Sequence, residues 1–371
     1  MSNVVLDRAL ISRIHDQPGK FVLAITGGGS SAIADLLGVA GASRTIIEAT
    51  VPYAADALAS YLGAYPDHAC SGKTARAMAM AAFQRARRFE SDVANIYGLG
   101  CSAALTTDRD RKGSDRCYIA LQSINATREY TLTLSRFQRD RQAQERVCAE
   151  LIVAIMAQAL GIDHESLNLH AEESLSESSQ VAAPGWPDLF RGQLALTNHR
   201  IEHPKLLFPG AFNPMHTGHR EMIRVAKALT GHDALLEIST FNVDKPPLDY
   251  IDMQERYEGI GETYSLTFTN APTFMEKAVL FPGAVFMVGS DTLERIAQTR
   301  YYRDSDEQRD LAIEKLAAAD IRFLVFGRVV NDEFMGLEAI DIPQSLRALS
   351  DAVSEQDFRL DVSSRAIRLG D

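Results

Sequence analysis

The sequence predicts two α/β domains, at 1–162 and 203–371, joined by a linker at 163–202, with a doubly wound parallel sheet in the second. Three observations carry this expectation. In both halves, apolar runs of strand length alternate with stretches of helical period, as parallel strands joined by crossover helices do. Each half opens on a buried-strand run that breaks into a glycine-bearing turn and then a helix: FVLAIT then GGGSS at 21–31, and LLFPG then AFNPMHTGH at 206–219. Between the halves, His164 to Phe190 is acidic, rich in serine and weakly apolar in its first part, as linkers are.

The elements follow in order. Phe21–Thr26 reads as a buried strand, and the Ala/Leu-rich stretch after the glycines as a helix to about Leu37. RTIIEATVPY is a second strand, with a helix from about Tyr53, and Ser71 to Glu90 is a long helix. DVANIYG, CYIALQS and REYTLTLS are strand candidates, and Phe137 to Leu160 is a helix ended by Gly161. Trp186, the single tryptophan, is expected to pin the linker to a domain surface, since a ring that size needs a packing partner. In the second half KLLFPG, DALLEIST, GAVFMVG and IRFLVFG read as strands. Gly218–Thr230, Met253–Thr263 and Leu293–Thr299 read as helices. In such a sheet ligands bind at the carboxyl ends of the strands, which gathers Gly210 to His219, Asp244–Lys245 and Gly289 to Asp291 on one rim.

The 371 residues suffice for two cores, and 46% apolar with 23% charged residues describes an ordinary globular chain. A net charge of −11 argues against a nucleic-acid partner or an anionic membrane surface. It leaves room for a small phosphorylated ligand, which needs only a local positive pocket. No apolar run approaches the ~20 residues that cross a bilayer, and the start MSNVVLDRAL has no secretory pattern, so a cytoplasmic location is expected. The four cysteines, none in C-x-x-C spacing, read as reduced thiols.

The chemistry lies in the second glycine turn. Gly210 lets backbone approach a ligand closely. The helix after Gly218 turns Met222, Ile223, Ala226 and Leu229 inward, and its first turn offers unpaired N–H groups to an anion. The helix dipole alone supplies about 0.3–1 kcal/mol. Charge-assisted bonds from His216 and His219 would add about 1.5–3 kcal/mol each. A zinc site is set aside, because no third ligand stands at convincing spacing.

PGAFNPMHTGH resembles the G-x-F-N/D-P-x-H-x-G-H signature of the nucleotidylyltransferase superfamily. STFNVDKPPLDYIDMQER, VFMVGSDTL and DVSSRAIR resemble, in the same order, three further segments of nicotinamide or nicotinate mononucleotide adenylyltransferases. The resemblance covers roughly residues 204 to 371 and implies a Rossmann-like domain. It implies that His216, His219, Lys245 and Arg368 are catalytic and that Gly210, Phe212, Asn213, Gly218, Gly289, Asp291, Ser363 and Ser364 bind nucleotide. ATP would be a substrate, Mg2+ would be held mainly by its phosphates, and Tyr301 or Tyr302 would stack on the acceptor.

AITGGGSSAIADLLGVAGAS, at 24–43, resembles the C-terminal domain of the competence-damage protein CinA, whose relatives include nicotinamide-nucleotide amidases. Aligned on Gly41, Thr26 stands at that family's serine nucleophile, Ile25 at its glutamate and Leu58 at its lysine, while Tyr53 keeps its tyrosine. A hydroxyl nucleophile needs a base, and leucine is none. The resemblance therefore implies a degenerate amidase site at Thr26 and Tyr53, in a domain that binds a nucleotide or builds a homo-oligomer. A base for Thr26 would have to be Lys20 or Lys73, brought near by folding.

Overall fold

The computed structural model describes residues 7–108, 113–136, 138–242, 246–330 and 333–359. The chain divides into two compact units, Met1–Pro187 with Asp244–Asp252, and Asp188–Val243 with Met253–Asp371.

The first unit is a six-stranded mixed sheet between two helical layers. Its strands are β1 (Lys20–Thr26), β2 (Ile46–Thr50), β3 (Ile96–Ala104), β4 (Asp115–Gln122), β5 (Ala126–Leu134) and β6 (Ser174–Val181). They lie in the order β2-β1-β3-β4-β5-β6. β1 pairs parallel with β2 and β3, and the later pairings are antiparallel. Every residue of β1 after Lys20 is buried, as a strand covered on both faces requires. On one face lie α1 (Arg8–His15), α2 (Ser31–Leu37), the short α3 (Ala42–Thr45) and, after α4 (Ala55–Leu62) and α5 (Gly72–Phe89), the long α6 (Arg141–Ala159). α1, α2 and α6 share one core cluster with β1, β3, β4 and β5, while Leu58 and Leu62 of α4 and Met78 of α5 pack on Ala24 from the other side. α5 comes unusually close to β3, because a Cβ at Gly98 or Gly100 would lie 2.1 or 2.2 Å from the carbonyl oxygens of Ala79 and Ala75.

Two boundaries differ from the sequence reading. α6 starts at Arg141 because the Asp140 carboxylate accepts the Ala143 N–H at 2.8 Å and caps it. Two elements lie within the expected linker 163–202. Residues 174–181 form β6, paired with β5 along eight residues, and α7 (Trp186–Arg191) follows. The Glu173 side chain is fully buried and held by Arg139 at 2.8 Å and by the Ser135 and His170 N–H groups. The reason for the miss is physical. β6 is an edge strand with almost every side chain exposed, so its backbone ladder holds it and no apolar face announces it.

Residues 249–252 belong to the first unit. Tyr250 is fully buried, its hydroxyl donating to Ile124 O at 2.7 Å and its N–H to Thr127 Oγ1 at 3.0 Å. Its ring stacks on buried Trp186 with centroids 6.0 Å apart, the packing partner expected of that tryptophan. Arg76 is shared among Glu129, Asp249 (3.1 Å) and Asp252 (3.1 Å).

The second unit holds six parallel strands: β7 (Leu206–Pro209), β8 (Ala234–Ser239), β9 (Ser265–Thr269), β10 (Val285–Gly289), β11 (Arg322–Phe326) and, beyond a small hairpin of β12 (Arg328–Val330) and β13 (Glu333–Met335), β14 (Ser350–Ala352). Their order is β14-β11-β10-β7-β8-β9. The connecting helices are α8 (Thr217–Thr230), α9 (Tyr250–Ile260), α10 (Phe274–Leu280), α11 (Ser290–Ala297), α12 (Asp306–Ala318) and α13 (Gln344–Arg347). Counted within this unit the order is 6-5-4-1-2-3, the doubly wound arrangement. The expected strands recur with small boundary shifts. β9, α10, α12, α13, β14 and the β12–β13 hairpin are additions the sequence reading did not make. No described helix is long and apolar enough to cross a membrane.

Candidate active site

In the second unit, β7 and β10 are neighbours, and the chain leaves them in opposite directions, β7 towards β8 and β10 towards β11. That reversal opens a crevice at the carboxyl ends of the two strands, where such sheets bind ligands. The turn after β7 carries Gly210 to His219, and the turn after β10 carries Gly289 and Asp291. Both predicted segments therefore reach the crevice.

The first turn is built in layers. Gly210 N–H donates to Glu237 O at 3.0 Å, which ties the turn to β8. A Cβ on Gly210 would lie 2.7 Å from the Phe212 ring, so that ring folds back where only glycine leaves space. Phe212 itself has φ 43°, a left-handed conformation uncommon outside glycine. Its buried ring meets Phe208 and His219 edge-on, each with centroids 5.1 Å apart. Asn213 is half-buried within the turn, and Gly218 is buried in the first turn of α8.

His216 caps α8 with extended backbone, and His219 sits three residues on. Their rings stack at 3.6 Å with 25° between planes. The His216 N–H donates to His219 Nδ1 at 3.2 Å. Burial, and secondarily the adjacent His216, lower the His219 pKa to about 4. His219 is then neutral at pH 7 with Nδ1 occupied as an acceptor, which leaves its one proton on Nε2. Burial also lowers the pKa of His216, whose Nδ1 is buried with no hydrogen-bond partner among the described residues. The pair thus places a neutral N–H donor at the first turn of α8, an arrangement suited to phosphate oxygens.

Gly289 forms the N-cap of α11, and Asp291 lies in its first turn with its carboxylate folded back over Gly289. Asp291 stands 3.8 Å from the Arg328 guanidinium, both about half exposed, so the pair is weakly held and free to change partners. Tyr302 ties its hydroxyl to Ile296 O at 3.0 Å, and Arg300 covers Tyr301 at 4.7 Å from its centroid. Lys245, Ser363, Ser364 and Arg368 lie outside the described residues. The sequence reading missed Arg256, a buried residue of α9 whose Nε donates to Ala211 O at 3.0 Å. It also missed Phe208, which backs His219 at 5.8 Å. Arg256 ends the resemblance segment 239–256, but an arginine at a helical position reads as a solvated face, so no role was read for it.

In the first unit, Thr26 and Tyr53 line a cavity of about 580 Å³ together with Ser30, Ser31, Arg141 and Glu145. The glycine turn there is already filled. Glu145 of α6 accepts the N–H of Gly29 at 2.7 Å, that of Ser31 at 3.0 Å and the Ser30 hydroxyl at 3.2 Å. Among the described residues, no lysine or histidine lines the cavity. Lys20 begins β1 and pairs with Glu90, whereas Thr26 ends the same strand, about 20 Å away at strand rise. Lys73 is exposed and Leu58 belongs to the core.

A parallel sheet wound 6-5-4-1-2-3, with a histidine pair at its switch point, is a doubly wound α/β domain. Residues 207–369 match the family model described as cytidylyltransferase-like, so the second unit carries a nucleotidyltransferase domain. The comparison with curated proteins returns no match. Among solved structures, the N-terminal part of the chain is similar to the competence/damage inducible protein CihA from Agrobacterium tumefaciens, at 15% identity over 42% of this chain and 93% of that one, with a TM-score of 0.34. It is also similar to a CinA superfamily protein from Escherichia coli (16%, 43% and 94%, TM-score 0.34) and to a competence or damage-inducible protein from Enterobacter asburiae (18%, 43% and 98%, TM-score 0.33).

Proposed function

We propose that the second unit transfers the adenylyl group of ATP to nicotinamide or nicotinate mononucleotide and releases pyrophosphate. The observation that carries this reading is the stacked His216–His219 pair, with His219 neutral and Nε2 protonated, at the N-terminus of α8 in the switch-point crevice. The choice of nucleotide and acceptor rests on the motif resemblance at 210–219, 239–256, 285–293 and 361–368.

In this reading an acceptor phosphate oxygen attacks the α-phosphorus of ATP in line. A bond forms between that oxygen and Pα, the Pα–O bond to the β-phosphate breaks, and pyrophosphate leaves with the electron pair. The attacking phosphate is already ionised, so no general base is required. His219 Nε2–H donates to an α-phosphate oxygen as charge builds there, and His216 with the first amides of α8 hold the phosphates. The resemblance assigns Lys245, Ser363, Ser364 and Arg368 to the same triphosphate. Imidazoles and amides are phosphate donors and poor Mg2+ ligands, so Mg2+ would arrive on the triphosphate, held by its oxygens and water. There it screens phosphate charge. Catalysis then rests on positioning and preset dipoles.

The first unit is read as a degenerate amidase relative, because among the described residues neither a lysine nor a histidine lines the cavity of Thr26. The test is pyrophosphate release from ATP and from CTP with a panel of phosphorylated acceptors: both pyridine mononucleotides, pantetheine phosphate and an alcohol phosphate. Release is expected with ATP and a pyridine mononucleotide. ATP binding with no release from any acceptor would instead favour a scaffold role. Ammonia release from nicotinamide mononucleotide is expected to be absent.

A further inference from the structure

We infer that Arg256 is a positioning residue for the catalytic turn: its guanidinium clamps the Ala211 carbonyl and, through Phe212, holds the His219 ring in its seat. The claim about geometry stands on the fold alone. Its catalytic consequence rests on the adenylyl-transfer reading above.

Burying a guanidinium is costly unless hydrogen bonds compensate. Arg256 is only 7% exposed and spends one fixed N–H on a main-chain oxygen of the signature turn. Ala211 stands between two constrained neighbours. On one side Gly210 is tied to β8 through Glu237 O, and on the other Phe212 is held at φ 43°. A non-glycine residue in that region costs on the order of 1–3 kcal/mol and persists only where its surroundings fix it. β8 fixes one flank of Ala211 and α9 fixes its carbonyl. The strained backbone then aims the Phe212 ring at Phe208 and His219.

Without that clamp the Ala211 peptide can rotate and Phe212 can relax to negative φ. Its ring then leaves the imidazole and water enters. The rings packed on His219 are Phe208, Phe212 and His216, and His216 is the titratable group among them. Hydration favours the charged imidazolium, so loosening moves the His219 titration upward from about 4. Lysine does not replace the clamp fully, because its ammonium lacks the rigid fork that fixes the direction of the N–H.

The experiment uses the full chain with Arg256→Met and Arg256→Lys. His219 is titrated by NMR without nucleotide and assigned through His219→Gln, and kcat and KM for ATP are measured alongside. R256M is expected to raise the His219 titration by at least about one unit. It is expected to lower kcat by about 10²-fold, the cost of misplacing a group by about 1 Å, with KM for ATP nearly unchanged. R256K is expected to show a smaller shift of both. A folded R256M whose His219 titrates within about 0.3 unit of wild type overturns the inference. Should R256M not fold, R256K decides alone, and an unshifted titration there overturns it equally. A wild-type protein that releases no pyrophosphate with any acceptor sinks the transfer reading and leaves the titration result standing.

Discussion

The two glycine turns occupy the same place in their sheets, each following the first strand of its unit at that strand's carboxyl end. Their occupants differ. In the first unit Glu145 reaches from α6 into the turn and takes the N–H groups of Gly29 and Ser31. In the second the turn's own residues His216 and His219 stand at the helix mouth, and His216 Nδ1 has no hydrogen-bond partner among the described residues. A glycine turn before a helix is therefore a capacity for binding anions. Whether that capacity reaches a ligand depends on what the rest of the fold puts in front of it.

The largest expected effect tests the open turn. His219→Ala should lose about 10²–10³-fold in turnover, as removal of one transition-state donor does. Near-normal pyrophosphate release would remove His219 from the reaction. Gly27→Ala probes the closed turn and should destabilise the first unit by about 2–3 kcal/mol or more, because Gly27 has φ 79° and a Cβ there would meet Ala103 O. A denaturation midpoint equal to wild type would show that this turn tolerates a side chain. Glu145→Gln sharpens the comparison further. Losing the carboxylate should weaken the bonds to Gly29 and Ser31 and cost about 1–2 kcal/mol, measured by urea unfolding. Thr26→Ala is the smallest case. Adenylyl transfer should stay within about twofold of wild type, since Thr26 belongs to the first unit and has no part in the proposed transfer.

The depressed His219 pKa adds a pH dependence with a definite sign. The unfolded chain takes up a proton near 6.5, the folded chain only near 4. Between those values the unfolded state binds more protons, so stability falls as pH drops through that window and is flat above it. Thermal melts of wild type against H219Q between pH 7 and 4 check this, and the acid sensitivity should be smaller in the variant.

Much of the site was legible because its causes are local. Two histidines three residues apart must share one helical turn, and Gly210 before Phe212 marks a tight turn whatever lies around it. The neutral state of His219 was not legible, because it follows from the rings of Phe208 and Phe212 and from the His216 N–H closing on one side of the imidazole. The linker failed as a reading for the opposite reason. Residues 174–181 carry a strand whose stability lies in hydrogen bonds to β5, and hydrogen bonds to a partner strand leave no periodic mark on side chains.

By itself the sequence determined most of the strands buried on two faces, β9 being the exception, the helix that follows each glycine turn, and the presence of a phosphate-type signature at 210–219. Those features depend on backbone preference and on apolar spacing within a few residues. Tertiary structure alone decided which strands lie side by side, and so where the crevice opens. It also decided that Glu145, 116 residues from Gly29, closes one turn, and that Arg256, 45 residues from Ala211, braces the other. Contacts across such separations depend on how whole elements pack, and packing is settled by the complete core rather than by any stretch of chain taken alone.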